Sequence, residues 1–206
     1  RRCFRLLVDV LAHQILVDGC FSTDPHPGNL LLCPDGRLGL LDFGQHGTLS
    51  LHQRRWFCRT VVAVASGDEA AMARQARELG MHTRHDRDST LAFHIGTPWS
   101  GNLGTKMKHL RTLRKEDPVL ARGEAALLLP FRPIAIIMAM CRTFGVHVHM
   151  ARAFLPVARN VLRAESAAAG PSWKKAMPPP ASSNGLARSS SSASASASSS
   201  SSSSSS

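Results

Sequence analysis

Tyrosine is absent, aromatic residues make up only 5% of the 206-residue chain, and Asp plus Glu number 14 against 25 Lys plus Arg. So few rings leave little on which to stack bases, and the excess charge of +11 is scattered singly or in pairs such as Arg54 with Arg55 and Lys174 with Lys175. A nucleic-acid partner is therefore not expected. Cysteine is also sparse: Cys3, Cys20, Cys33, Cys58 and Cys141 are odd in number and far apart, with no CxxC pair and no Cys/His ligand spacing. That excludes a disulfide framework and suits a reducing compartment. Long apolar runs are missing too. The best candidate, Pro133 to Cys141, is bounded by Arg132 and Arg142 and falls well short of the roughly 18 residues a membrane span needs.

What is present is a 43% hydrophobic chain, enough for one globular domain, followed by a tail. From about Ser189 onward nearly every residue is Ser or Ala, and such a run cannot bury enough apolar surface to offset the entropy of ordering it. The expected division is a folded domain over 1–165 and a disordered Pro-, Ser- and Ala-rich tail over 166–206. Removing Ala181 to Ser206 deletes one basic residue, Arg188, and no acid, so the charge falls only from +11 to +10 and belongs to the folded part. The chain opens on Arg1 rather than Met, and its first segment already reads as an amphipathic helix. The natural N-terminus, with any targeting segment, is expected to lie upstream.

In that segment Phe4, Leu7, Val8, Leu11 and Ile15 recur at helical spacing, which predicts a helix ending near Gly19. Asp24-Pro25-His26-Pro27-Gly28-Asn29 follows closely. Two prolines and a glycine in six residues exclude both a helix interior and a central strand, so this is an ordered loop. Leu30 to Cys33, the turn Pro34-Asp35-Gly36 and Arg37 to Leu41 then read as a β-hairpin. It runs into Asp42-Phe43-Gly44. Ser50 is placed to cap a helix with Phe57, Val61, Val64 and Ala65 on one face; Gly67-Asp68 breaks it and starts another, about Asp68 to Leu79, which Gly80 stops. Met81 to Trp99 has weak patterning and is expected to be loop with short helical pieces. Further helices are predicted from about Lys106 to Lys115, from Pro133 to Phe144, the latter apolar on nearly all sides and so expected to be buried, and from Ala151 to Leu162.

A tight hairpin brings its ends together, so Asp24, Asn29 and Asp42, which flank this one, converge. Carboxylate and amide oxygens suit Mg²⁺, a hard cation commonly shared with nucleotide phosphates. Protein kinases use the same order of parts: an aspartate, an asparagine five residues later, a hairpin, then Asp-Phe-Gly. Either motif alone has a plainer reading, a rigid surface loop or an ordinary strand-end turn. The two in this order, separated by a hairpin with a Pro-Asp-Gly turn, do not. His26, held between two prolines, is expected to keep the loop's shape by hydrogen bonding rather than to bind metal. His82, His85, His94, His109, His147 and His149 form no ligand set, with His147 and His149 expected on opposite sides of a helix. Ile137, Met138 and Met140 read as core.

The string Asp-Pro-His-Pro-Gly-Asn resembles the loop that replaces the usual catalytic loop in the UbiB/ADCK family of atypical, protein-kinase-like proteins, and the likeness extends over roughly Arg1 to Leu162. The resemblance implies an α+β, mostly helical fold, the C-terminal lobe of a protein-kinase-like architecture, with its hairpin between the catalytic-loop-like and Asp-Phe-Gly motifs. It implies Asp24 as the catalytic aspartate, Asn29 and Asp42 as ligands of Mg²⁺ bridging ATP phosphates, and Gly44 as the residue that permits the turn after the metal ligand. ATP and Mg²⁺ are the implied cofactors. Kinase or ATPase activity and a supporting role in isoprenoid-quinone metabolism, in mitochondria, chloroplasts or bacteria, are implied with them.

The chain departs from the family pattern at Ser22-Thr23, where His-Ala is usual before the aspartate. The family's KxGQ segment, Ala-rich nucleotide loop and phosphate-meeting lysine would lie N-terminal to Arg1. Phosphoryl transfer depends on both lobes, so this chain alone is expected to be inactive. The alternative reading is a non-catalytic pseudokinase or truncated module whose basic helical surface docks peripherally on anionic membrane or on a partner protein.

Overall fold

A computed structural model of the chain describes residues 2–100, 103–123 and 125–168. The tail expected to be disordered falls, from residue 169 onward, outside the described residues. The described part is mostly helical α+β, with three small antiparallel sheets of two strands each.

Helix α1 (Arg2–His13) buries Leu7, Val8 and Leu11, the stripe its sequence predicts, and continues through a π-helical segment, Gln14–Asp18, that buries Ile15 and Leu16. Gly19 ends it at φ 70°, a left-handed conformation that glycine adopts without a Cβ penalty. Two nested ladders follow. The inner one is the expected hairpin, β2 (Leu30–Leu32) against β3 (Leu38–Leu40), closed by Gly36 N donating to Cys33 O at 2.9 Å. Around it β1 (Cys20–Ser22) pairs with β4 (His46–Thr48), placing Phe21 opposite Gly47. This outer ladder left no pattern in the sequence, because three-residue strands are too short to show alternation. Phe21 is 1% exposed, and its ring lies so close to Gly47 that a Cβ there would meet Cζ at 2.6 Å.

Helix α2 (Leu51–Ser66) starts as its sequence predicts. Ser50 Oγ accepts from Gln53 N while Gln53 Oε1 accepts from Ser50 N, a reciprocal cap. Gly67 turns left-handed, and Asp68 caps α3 (Glu69–Glu78) by accepting from Ala71 N at 2.9 Å. The buried Trp56 Nε1 donates to Gln75 O at 2.9 Å and ties the two helices together.

The stretch from Met81 to Trp99 is more ordered than its weak patterning predicts. It holds β5 (Met81–Thr83), α4 (Asp88–Gly96) and a 3₁₀ turn, Thr97–Trp99, and β5 pairs with β6 (Val119–Arg122) beyond α5 (Leu103–Glu116). Asp117 organises this junction. Only 1% exposed, it accepts from Thr83 Oγ1 at 3.0 Å and from the His85 amide at 2.7 Å. Burial pushes its carboxyl up, but the His85 amide and the Thr90 and Thr83 hydroxyls outweigh that and hold it below the ordinary carboxylate range.

The last helices are α6 (Phe131–Thr143) and α7 (Met150–Ala168). Contrary to expectation α6 is not buried all round. Ile134, Ile137, Met138 and Cys141 form its inner face, while Ala135 and Ala139 are exposed, small residues that water tolerates. His147 and His149 are not helical either; both lie in the irregular segment before α7, after Gly145 turns the chain at φ 64°. The core is centred on a run of rings in tilted or edge-to-face contact. Trp99, 1% exposed, lies 6.4 Å from Phe57, 5.6 Å from Phe131 and 5.7 Å from Phe154 between ring centroids. Phe57 of α2, Trp99 of the 3₁₀ turn, Phe131 of α6 and Phe154 of α7 thus meet at one point of the core. Among the described residues no helix is long and apolar enough to cross a membrane.

Candidate functional site

Nesting of the two ladders explains why residues on either side of the hairpin meet. Asp24 stands two residues past the end of β1, Asn29 immediately before β2, and Asp42 and Gly44 on the return leg toward β4. Backbone bonds join the legs on both sides of the site: Thr23 N donates to Gln45 O at 3.0 Å, and Leu41 N to Asn29 O at 2.9 Å. Within the loop His26 N donates to Asp24 O and Asn29 N to His26 O, both at 2.9 Å, while Pro25 and Pro27 fix φ and present no N–H that would need a partner. Asn29 Nδ2 donates to Asp24 O at 3.2 Å, which turns its amide nitrogen inward and leaves Oδ1 as an acceptor.

Ser22, Asp24, His26, Asn29, Asp42 and Gln45 line one polar cavity of about 120 Å³. The structure therefore brings together three of the four residues singled out in the sequence. The fourth, Gly44, acts on its neighbour: its N–H donates to Asp42 Oδ1 at 2.6 Å. Contrary to the expectation that glycine is needed for the turn, its φ is not left-handed; a Cβ there would stand 3.0 Å from that same oxygen, at the end of an exposed side chain. His26 Nδ1 accepts from Gly28 N at 3.1 Å, the shape-keeping bond expected of it.

Sequence reasoning missed three participants. Ser22 lines the cavity from the outer ladder and Gln45 from the position just before it, and that ladder's strands were not foreseen. Arg132 comes from the far end of the fold. Its neighbour Phe131 packs against Phe57 and Trp99, which fixes the start of α6 and sets the Arg132 guanidinium 3.3 Å from Asp24 Oδ2. No sequence signal marks it, because an ion pair between residues so distant in the chain is decided by packing.

The donor set is one carboxylate and one amide facing a polar cavity, with a second carboxylate beside them. Among the described residues no group of three or more His, Cys, Asp and Glu converges on a metal position. The set fits Mg²⁺, which takes one or two protein oxygens and completes its shell with water and phosphate, and it does not fit zinc. Four larger clefts, of about 350, 670, 400 and 430 Å³, contain none of the motif residues; the first two meet at Trp99, Ser100 and His149. Donor chemistry, not volume, identifies the site. Cys58 is no rival nucleophile, since burial pushes its thiol up to about 12.

Over residues 2–76, which include the whole of both ladders, the chain matches the ABC1 atypical kinase-like domain. It is similar to a Dictyostelium discoideum protein named probable serine/threonine-protein kinase abkB, 26% identical over 79% of this chain and 25% of that protein. In Arabidopsis thaliana it is similar to the chloroplastic ACTIVITY OF BC1 COMPLEX KINASE 3, 46% identical over 30% of this chain and 9% of that protein. The chloroplastic ACTIVITY OF BC1 COMPLEX KINASE 1 is 30% identical over 47% of this chain and 14% of its own length. The chain spans a quarter or less of the length of these curated relatives. By motif, by the order of its parts and by these similarities, residues 2–76 are identified as an ABC1, or UbiB/ADCK, atypical kinase-like domain.

Proposed function

We propose that this chain is the C-terminal lobe of an atypical kinase or ATPase that binds ATP with Mg²⁺. The observation that carries the reading is the polar cavity onto which Asp24, Asn29 and Asp42 converge from two legs of a nested hairpin. Asn29, through Oδ1, and Asp42, through the oxygen not held by Gly44, would hold the cation. When bound, Mg²⁺ would neutralise phosphate charge and align the transferring group. Asp24 would accept the proton of an attacking hydroxyl or orient an attacking water. His26, Gly28 and the Asn29 amide preorganise the loop, so that little rearrangement is left for the reaction itself.

A contribution from a second lobe belongs to this reading, as does a place in isoprenoid-quinone metabolism. The chloroplastic relatives favour a plastid over a mitochondrion. Peripheral contact with an anionic membrane would fall to α5, where Lys108, Arg111, Arg114 and Lys115 are exposed. The test is Mg-nucleotide binding to the full-length protein with and without Asp42→Asn. Metal-dependent affinity should fall by about tenfold or more, the effect of losing a charged ligand; an unchanged affinity removes Asp42 from the site.

A further inference from the structure

The Arg132 guanidinium stands beside the cavity just read as a cation site, and this inference rests on that reading. Its contact with Asp24 is single and long at 3.3 Å, and the two side chains are 55% and 27% exposed. Such a pair gains little over its separated partners in water and exchanges easily. Its placement is nonetheless firm at the backbone, because Phe131 is wedged against Phe57 and Trp99 and Ile134, one residue beyond Pro133, is fully buried. A mobile charged head on a fixed stem is therefore held at the edge of a site that gathers two carboxylates.

We propose that Arg132 is a positioning residue that stands in for the cation, pairing with Asp24 when the site is empty and opposing divalent-ion entry until it swings away. Two effects act in the same direction. The positive guanidinium repels an incoming divalent ion, and its bond to Asp24 withdraws one carboxylate from the field that attracts that ion. Removing the charge should strengthen metal binding, whereas a residue that merely braced the loop would weaken it on removal. The stem is long enough for the guanidinium to turn outward, and its exposure leaves room for it to do so.

The experiment is Mn²⁺ binding, without nucleotide, followed through the electron paramagnetic resonance signal of the free ion with the full-length protein. Arg132→Gln should bind Mn²⁺ about 3- to 10-fold more tightly than the parent, the scale expected for removing one charge a few ångströms outside a partly solvated site. Arg132→Lys, which keeps the charge, should stay within about twofold of the parent. Arg132→Gln combined with Asp42→Asn should lose the gain. Unchanged or weaker binding by Arg132→Gln overturns the proposal, and if Asp42→Asn alone still weakens binding, the cation site itself stands. Binding indifferent to Asp42→Asn overturns the site and this inference together.

Discussion

Between Thr23 and Gln45 the chain is exposed at most positions, and Leu31, Leu32, Leu41 and Phe43 show 50, 59, 60 and 49% of their surface. In the helical body Phe57, Trp99 and Phe154 show 1% or less. The two regions are held by different forces. Backbone hydrogen bonds, two prolines and short polar links set the loop, so the site keeps its shape with little side-chain burial beneath it. The body gains its stability from ring packing and apolar burial and carries no motif residue. The two meet at a seam where Phe21 reaches from the loop's outer ladder into the core and Leu30, Leu38 and Leu40 of the inner hairpin pack against it. Chemistry and stability are thus separable in this domain except at that seam.

Replacing a central ring tests the body most severely. Trp99→Ala should cost about 3–5 kcal/mol in urea unfolding. Trp99→Phe should cost much less, since the buried Nε1 has no hydrogen-bond partner to lose. A similar loss for the two would mean that ring shape, rather than buried apolar surface, governs the cluster.

Asp117 tests whether the helical body has a polar seam of its own. Asp117→Asn should destabilise by about 1.5–3 kcal/mol at neutral pH, the worth of hydrogen bonds to a charged acceptor. Because its folded value lies below the unfolded one, the contribution is complete above about pH 4 and is lost as pH falls through the folded value. The melting temperature of the parent should therefore fall on acidification below about pH 4 more steeply than that of Asp117→Asn. Parallel acid limbs would show that other groups govern the loss.

Gly47→Ala strikes the seam between the regions. A Cβ 2.6 Å from the Phe21 ring must displace a core side chain, so about 1–3 kcal/mol should be lost, and nucleotide binding should weaken with it because the outer ladder carries Ser22 and leads directly into Gln45. Destabilisation with intact binding would place the site's rigidity in the inner hairpin alone. The smallest stability effect is expected inside the site. Asp42→Asn, the substitution proposed to weaken metal-dependent binding, should move stability by no more than about 0.5 kcal/mol, because the side chain is exposed and an amide oxygen still accepts from Gly44 N.

What could be read in the sequence was local. The Gly19 and Gly80 stops, the Ser50 and Asp68 caps and the Pro34-Asp35-Gly36 turn each act over a few residues, so their chemistry is written where it operates. Asp24, Asn29 and Asp42 were legible for the same reason, since one hairpin of short span forces them together. The outer ladder, the pairing of β5 with β6, the irregular path of His147 and His149, and the arrival of Arg132 beside Asp24 were not. Each depends on partners far apart in the chain. Strands of three or four residues carry too little periodicity to announce a partner, and a single exposed arginine carries none. The sequence by itself determined which residues form the loop and what chemistry they offer. Packing of Phe131 against Phe57 and Trp99 decided which cation stands over that chemistry, because only burial of the core fixes where α6 begins.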